Sequence, residues 1–375
     1  MKKIQMVDLL SQFRKIEPEV MNAIKKVIEN TAFIKGPEVN QFAEKLQNYL
    51  DVNHVIPCAN GTDALQVALM ALKLEPGDEV ITSPFTFIAT IEVIKLLGLK
   101  PVLADIEEDT FLIDPGKVRS AITDKTKLIL PVHLFGQCAN MTEITAMAKE
   151  KDIFVVEDTA QALGADYFFG DKNSKKAGTI GDIGCTSFFP SKNLGAFGDG
   201  GAIFTHDREM ADKISAMVNH GMKMRYHYEY IGVNSRLDTI QAAILNIKLD
   251  HLDEYHIARQ KAADYYYNSL ANMEGIVLPV RAEHSNHIFH QYTIKVKDNK
   301  RDALKDYLNK HDIPAMIYYP LGLHLQEAYK DLGYKKGDFP VTERASEVVL
   351  SLPMHTELTK DQLDYICNTI KSFFQ

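Results

Sequence analysis

The stretch TSFFPSKNLG, residues 186–195, places one lysine, Lys192, between a short apolar run and a glycine-containing turn. Lysine is the residue that forms a Schiff base with an aldehyde, and burial among phenylalanines lowers its pKa so that the neutral amine is available. Taken alone, a lysine in a loop is most often a solvated surface side chain. Its meaning therefore depends on what the rest of the chain places beside it.

A second stretch, IFVVED at residues 153–158, is an apolar run of strand length that ends in two carboxylates. This pattern predicts a buried parallel strand. Open α/β sheets bind their ligands at the carboxyl ends of such strands. We therefore expect Asp158 to lie at the same edge of a sheet as Lys192.

A lysine and a carboxylate in one site favour pyridoxal phosphate as a cofactor, which also needs donors for its phosphate. Asp158 would keep the pyridinium nitrogen protonated. The turn at residues 60–63, NGTD, precedes a helical run and would direct backbone N–H groups at an anion. Ser187 adds a hydroxyl nearby. Taken alone, the turn at Gly61 and Thr62 is more typical of an ordinary helix N-cap.

These motifs are part of a longer ordered series: GPEV at 36–39, ANGTDAL at 59–65, PGDEVI at 76–81, EDTAQ at 157–161, SFFPSK at 187–192, GDGGA at 198–202 and GVNSRLD at 232–238. With them the chain resembles, nearly end to end, the DegT/DnrJ/EryC1/StrS family of sugar aminotransferases. The resemblance implies an α/β, aspartate-aminotransferase-like (fold-type I) structure that binds pyridoxal phosphate. Such a structure has a large, mostly parallel sheet domain and a smaller α+β C-terminal domain.

The resemblance also implies roles for residues around the cofactor ring. Lys192 is the lysine that binds the cofactor, and Asp158 contacts the pyridine nitrogen, so these two are the expected catalytic residues. Gln161 lies near the phenolic oxygen. Phe87 occupies the position whose aromatic ring stacks on the cofactor.

For the phosphate, the resemblance implies Gly61, Thr62 and Ser187 from one subunit. Asn234 would reach the same phosphate from the neighbouring subunit. We therefore expect a homodimer with shared active sites.

Within the family, the chain is most similar to aminotransferases acting on UDP-2-acetamido-2-deoxy-3-oxo-glucuronate, which serve surface polysaccharide biosynthesis. The segment at 318–320 departs from them, since it has Tyr-Tyr-Pro where those enzymes have His-Tyr-Pro. We expect ping-pong transamination with glutamate as the amino donor. Arginine binds carboxylates and phosphates bidentately, although Arg236 could equally form a helix-start salt bridge with Asp238. The expected substrate-binding residues are Arg225, Tyr226, Arg236, Tyr318, Tyr319 and His324.

Other functions stay open at this point. The sugar could instead be a dTDP- or GDP-linked keto-deoxysugar. Some proteins on this scaffold are dehydratases, generally with histidine in place of the lysine, and a non-catalytic regulatory homologue is a third alternative. The glycines at 195–201 lead into a strand rather than a helix, which argues against a dinucleotide-binding loop. No histidines form a tight ligand pair, so we expect no metal.

Composition is typical of a cytoplasmic enzyme. The chain has 375 residues, a net charge of −8 and no basic block, which argues against a nucleic-acid partner. Its four cysteines are widely spaced and indicate neither disulfides nor zinc. The first residues lack an apolar leader, and no run reaches the length of a membrane span.

Apolar runs alternate with amphipathic stretches through the first two-thirds of the chain, which predicts a largely parallel sheet with βαβ connections. The predicted strands are 79–83, 101–105, 127–132, 153–158, 185–189 and 202–205, with helices such as 88–97 and 142–151 between them. From Arg236 to about residue 267 we expect a long helical stretch that connects the domains. Residues 291–296 and 314–318 are the predicted strands of the small domain. The predicted division is 1–250 and 251–375.

Overall fold

The computed structural model describes residues 3–170 and 173–375 of the chain. Its strands are β1 (His54–Cys58), β2 (Glu79–Thr82), β3 (Lys100–Leu103), β4 (Thr126–Leu130), β5 (Phe154–Asp158), β6 (Asp166–Phe168), β7 (Ser174–Lys176), β8 (Ile183–Ser187), β9 (Gly201–Thr205), β10 (Met222–Met224), β11 (His227–Tyr228), β12 (Ile276–Val277), β13 (Tyr292–Val296) and β14 (Val349–Leu352). Its α-helices are α1 (Leu9–Asn30), α2 (Pro37–Leu50), α3 (Gly61–Ala71), α4 (Ala89–Leu96), α5 (Pro115–Ala121), α6 (Met141–Lys151), α7 (Arg208–Met217), α8 (Thr239–Asp250), α9 (Leu252–Leu270), α10 (Arg301–Lys310), α11 (Pro340–Val348) and α12 (Lys360–Phe374).

The main sheet has the strand order β1-β9-β8-β5-β4-β2-β3. Neighbours from β8 to β3 pair in parallel, whereas β9 is antiparallel to both β1 and β8. Strands such as β2 and β9 are buried at every position, as expected for strands covered by helices on both faces. The predicted α/β fold with a large, mostly parallel sheet is confirmed.

The sheet determines which residues meet at its carboxyl edge. Because β5 and β8 are parallel neighbours with Asp158 opposite Cys185, both strands end at the same edge. The residue that ends β8, Ser187, pairs with Gly201 of β9. Gly201 pairs in turn with Cys58, after which the chain enters α3 at Gly61. The ends of β5 and β8 and the start of α3 therefore surround one edge of the sheet.

A smaller sheet of three strands, β12-β13-β14, lies in the C-terminal part of the chain. Its core includes Ile294, Leu350 and Ile366, with Tyr266 of α9 packed among them. No helix in residues 3–170 and 173–375 is long and apolar enough to cross a membrane. The predicted division of the chain at residue 250 stays a prediction.

The predicted helical stretch after Arg236 is present as two helices, which meet at His251. This residue has φ −101° and ψ 1°, so α8 ends there and α9 begins at the next residue. The two helices face different neighbours, since α8 packs on α1 and α2 whereas α9 packs on α12. Each helix therefore buries apolar residues in a different part of the core.

The predicted strand at residues 314–318 is wrong. Only Met316 pairs with a strand, through mutual backbone hydrogen bonds with Ser351 of 3.1 and 2.7 Å. Pro314 and Pro320 have no backbone N–H to donate, which limits ladder pairing on either side. The predicted strand at 291–296 is present as β13.

Candidate active site

The candidate active site lies where β5 and β8 end. Asp158 closes β5, and the chain leaving β8 passes through Ser187 to Lys192. The Asp158 side chain is only 6% exposed. Its Oδ1 accepts a hydrogen bond from Ala160 N at 3.0 Å, and its Oδ2 accepts one from Thr90 Oγ1 at 3.2 Å. Burial raises the pKa of Asp158, although Ala160 N–H, Lys192 and Thr90 each act in the opposite direction.

The adjacent carboxylate, Glu157, has its acceptors filled by the protein. It accepts a 2.8 Å hydrogen bond from His133 Nε2 and three more from backbone N–H groups at residues 178–181. Burial opposes its ionisation, but these donors hold the pKa of Glu157 below its ordinary value. Asp158 has two such bonds for about four lone-pair sites, and among the described residues no ion pair neutralises it. Asp158 is therefore the carboxylate with capacity to bind a cation.

Lys192 is half-buried in the turn that follows β8, with its backbone N–H bonded to Phe189 O at 2.8 Å. Burial lowers the pKa of Lys192 to about 8, while the nearby Asp158 carboxylate acts to raise it. Burial and the positive charges of Lys192 and Arg259 hold the pKa of His290 well below its ordinary value. The Lys192 amine is thus easily made neutral, beside an imidazole that stays uncharged.

A second lysine in this region, Lys248, is almost fully buried. Lys248 donates a hydrogen bond to Gly195 O and lies over the Phe197 ring, 5.6 Å from its centroid. Burial, with a smaller effect from Arg259, lowers the pKa of Lys248 to about 8. An easily deprotonated amine therefore does not by itself distinguish Lys192, whereas its position beside Asp158 does.

A close approach of backbone forms a small cradle beside these groups. A Cβ added at Gly61 would lie 2.6 Å from Ser187 Cβ, so only glycine lets α3 begin against the end of β8. Asn60 caps the helix by accepting a hydrogen bond from Asp63 N at 2.8 Å. First-turn N–H groups have no partner within a helix, which leaves those of Gly61 and Thr62 for an anion.

Gln161 bonds both the turn after β4 and a segment in the C-terminal part of the chain. Its Oε1 accepts a 2.7 Å hydrogen bond from Phe135 N, in the turn after β4. Its Nε2 donates to the Tyr319 hydroxyl at 3.1 Å. The Gln161 amide is therefore held on both sides, near the end of β5.

Phe87 and Asn234 are both exposed. The Phe87 ring is 58% exposed, and its carbonyl accepts a hydrogen bond from the backbone of Thr90, the residue that binds Asp158. Asn234 pairs through its backbone with Asn219 and lines a cavity of about 410 Å³. The Phe87 ring is thus free to stack on a ligand, and the Asn234 amide is free to bind one.

Two arginines expected to bind the sugar nucleotide differ in their surroundings. Arg225 is exposed and lies over the Tyr226 ring, 5.1 Å from its centroid. Arg236 is half-buried, and its only described hydrogen bond is a long one of 3.5 Å to Asn219 Oδ1. Among the described residues it forms no ion pair with Asp238, which leaves its guanidinium available.

The segment that differs from the uronate enzymes lies beside the site. Tyr318 is half-buried. Just after this segment, Leu323 N is bonded to Pro84 O at 2.8 Å, which ties this part of the chain to the loop before α4. His324 is buried, with Nε2 hydrogen-bonded to Glu343 at 3.1 Å. Its contact with substrate stays a prediction.

Sequence reasoning did not single out several residues that hold the site. Thr90 bonds Asp158 and is itself bonded to Thr86, with 3.2 Å between the hydroxyl oxygens. Asn193 Oδ1 is 3.3 Å from His290 Nδ1, in the turn that carries Lys192. The only available signal was their nearness in sequence to motif residues, as with Asn193 and Lys192.

The arrangement can therefore hold a cationic ring nitrogen at Asp158, an aldehyde carbon at Lys192 and a phosphate at the start of α3. These groups lie on one edge of one sheet. Such a set can bind a phosphorylated aldehyde cofactor and move a proton at the Lys192 amine.

Residues 14–371 match the model of the DegT/DnrJ/EryC1/StrS aminotransferase family.

Three curated relatives span almost the whole chain. A pleiotropic regulatory protein of Geobacillus stearothermophilus is 44% identical and covers 99% of both chains. The UDP-2-acetamido-2-deoxy-3-oxo-D-glucuronate aminotransferase of Pseudomonas aeruginosa is 43% identical, covering 97% of this chain and 98% of its own. A UDP-N-acetyl-3-dehydro-α-D-glucosamine 3-aminotransferase of Acidithiobacillus ferrooxidans is 41% identical, covering 98% and 97%.

Solved structures agree with the fold. DesV of S. venezuelae superposes with a TM-score of 0.96 at 35% identity, covering 100% of this chain and 99% of its own. NtdA of Bacillus subtilis, solved with bound cofactor PMP, has a TM-score of 0.91 at 32% identity, covering 100% of this chain and 86% of its own.

Proposed function

The chain belongs to the DegT/DnrJ/EryC1/StrS aminotransferase family, and from this premise we propose that it transfers an amino group from glutamate to a nucleotide-linked keto sugar. We propose UDP-2-acetamido-2-deoxy-3-oxo-glucuronate as that sugar and surface polysaccharide biosynthesis, in the cytoplasm, as the pathway. Aminotransferases of this family use pyridoxal phosphate.

The observation that carries the proposal is that Lys192 and Asp158 lie near each other at one sheet edge. A buried carboxylate that forms no ion pair within the described residues, near an amine with a pKa of about 8, fits a cofactor with a cationic ring nitrogen and an aldehyde. The cradle between Gly61 and Ser187, which a Cβ would fill, fits its phosphate.

When bound, pyridoxal phosphate supplies an aldehyde and an electron-accepting ring. Lys192 Nζ would hold the aldehyde carbon and, when free, would be the base for the Cα proton of the amino donor. Asp158 would keep the ring nitrogen protonated. Thr90 and Ala160 N–H fix that carboxylate in place, so little reorganisation is needed when charge develops.

Overall identity does not select the sugar, since the glucuronate and glucosamine relatives are 43% and 41% identical. The uronate adds a carboxylate, for which an arginine is the best partner. Arg236 has an available guanidinium at the cavity that Asn234 lines, and Arg225 is exposed. A dTDP- or GDP-linked keto-deoxysugar is the alternative substrate.

A regulatory role without catalysis is the second candidate function, since the Geobacillus stearothermophilus relative bears the name of a regulatory protein. A regulatory protein without catalysis does not need the Lys192 amine, the Asp158 carboxylate and the cradle at Gly61 in one site. Retention of Lys192, Asp158, Gln161 and Ser187 favours the enzyme.

We also propose a homodimer in which Asn234 completes the partner's phosphate site. Asn234 is exposed, and the nearby segment carries large exposed side chains, with Tyr226, Tyr228 and Ile231 exposed by 70%, 61% and 86%. An apolar surface of this kind is typical of an interface.

The test is a substrate panel with ¹⁵N-glutamate. The UDP-linked 3-oxo-glucuronate, its glucosamine counterpart and a dTDP-linked 3-oxo-deoxysugar are each incubated with the enzyme, and ¹⁵N in the sugar is measured by mass spectrometry. We expect the uronate to have the highest kcat/KM. A conservative Arg236→Lys variant should lose activity on the uronate more than on the glucosamine compound.

Preferential turnover of the dTDP sugar would replace the proposed substrate with the alternative. Absence of ¹⁵N from every sugar, with cofactor bound, would favour the regulatory function.

A further inference from the structure

The orientation of the Gln161 amide follows from its partners. A backbone N–H can only donate, so the atom that meets Phe135 N at 2.7 Å must be the amide oxygen. The amide nitrogen therefore faces Tyr319, whose hydroxyl accepts one of its protons at 3.1 Å. The second N–H of Gln161 has no acceptor among the described residues and is free to bind a ligand.

Tyr319 is fixed by packing. Its ring meets Phe85 edge-on at 5.8 Å and Tyr318 at 6.1 Å between centroids. Burial raises the pKa of Tyr319, despite the hydrogen bond from Gln161. The hydroxyl is therefore neutral, and because it accepts from Gln161 its own proton points elsewhere.

The two partners of Gln161 come from distant parts of the chain. Phe135 lies in the turn after β4 of the main sheet. Tyr319 lies three residues after Met316, which pairs with Ser351 of the small sheet. A single side chain thus joins the main sheet to the segment at 318–324 that we expect to contact the sugar.

We propose that Tyr319 is a positioning residue that holds the Gln161 carboxamide, and so links the sugar-binding segment to the hydrogen bond at the cofactor's phenolic oxygen. This inference rests on the proposed function, since Gln161 has this role only with the cofactor bound. The new element, beyond the proposed function, is that Tyr319 acts through Gln161.

The test is an absorbance titration of the resting holoenzyme without substrate, which follows the visible band of the bound cofactor with pH. A hydrogen-bond donor beside an oxygen favours its deprotonated form. Loosening Gln161 by Tyr319→Phe should therefore raise the midpoint by about half a pH unit or more, the effect of weakening one hydrogen bond. Tyr319→Phe keeps the ring that packs on Phe85, so the fold is retained.

The substitution replaces no other ionisable group near the site. Asp158 and His290 are the groups that interact with the charge of Lys192, and Asp158 and Tyr318 are those that interact with Tyr319.

The matched control is Tyr292→Phe, since Tyr292 is a buried tyrosine whose hydroxyl has no partner in the described part of the chain. Its midpoint should equal that of the wild type. Gln161→Met should raise the midpoint, and adding Tyr319→Phe should raise it no further, because the tyrosine acts through the amide.

An unchanged midpoint in Tyr319→Phe, or an additive shift in the double variant, would overturn the inference and leave the proposed function standing. A wild-type protein that shows no cofactor band would overturn both.

Discussion

Replacing Asp158 with asparagine should weaken catalysis strongly while leaving the cofactor-free protein stable. The substitution keeps the shape of the side chain. Asparagine Oδ1 can still accept from Ala160 N–H, and the Thr90 hydroxyl can turn to accept from the new NH₂ group. What changes is the charge opposite the cofactor's ring nitrogen.

The size of the loss follows from burial. The Asp158 side chain is 6% exposed, so its pairing with a cationic nitrogen would be little screened. Removing one charge from a buried pair costs about 2–5 kcal/mol, which corresponds to a rate lower by about 30-fold to several-thousand-fold. The assay is the single-turnover rate of amino transfer from glutamate.

The cofactor-free protein should respond in the opposite direction. Burial raises the folded-state pKa of Asp158 above its unfolded-state value. Stability is therefore lost as the pH rises from the unfolded-state pKa to the raised one, and the loss is complete above it. Asparagine carries no such cost. In denaturant titrations the apo variant should be at least as stable as the apo wild type at neutral pH, and the difference should vanish towards acid pH.

The control is Asp182→Asn, because Asp182 bonds Val155 N near the start of β5, at the end of the strand away from the site. Its single-turnover rate should match the wild type. A rate for Asp158→Asn within a few-fold of wild type would remove Asp158 from the cofactor site and refute the reasoning.

Four further outcomes are expected. Lys192→Ala should abolish turnover but not folding, and measurable steady-state activity would contradict this. Apo protein should take up pyridoxal phosphate faster as pH rises through about 8, where Lys192 becomes neutral; a pH-independent rate would count against it. Gly61→Ala should raise the cofactor's dissociation constant, since its Cβ would meet Ser187 at 2.6 Å. An overpacking cost of about 1–3 kcal/mol raises that dissociation constant by about 5- to 150-fold. The control Gly116→Ala, in the first turn of α5, should leave the dissociation constant unchanged. Mixing inactive Lys192→Ala with an inactive Asn234→Asp protein should restore activity after subunit exchange, because one site of a mixed dimer carries neither lesion; no recovery despite proven exchange would exclude the shared site.

Much of the main sheet could be predicted because its strands are uninterrupted apolar runs. The run at 153–158 gave both a strand and the position of Asp158 at its end. β1 was missed because it begins with His54 and contains Pro57. It is an edge strand, where proline is tolerated since one side needs no donor.

Contacts that hold the site could not be predicted, because they join residues far apart in sequence. The Thr90–Asp158 bond spans 68 positions and the Gln161–Tyr319 bond spans 158. The break at His251 has a similar origin, since it contains neither glycine nor proline and follows from how α8 and α9 pack. Tertiary packing decided each of these.

The central claim is that Lys192 holds pyridoxal phosphate opposite Asp158, and borohydride trapping tests it most directly. Lys248 is the sharpest internal comparison, since burial lowers its pKa to about 8 as well. The holoenzyme is reduced with borohydride, digested and mapped by mass spectrometry. We expect the pyridoxyl mass on the peptide that contains Lys192, with none on the Lys248 peptide. Label on Lys248, or no label on a protein that binds the cofactor, would contradict the account.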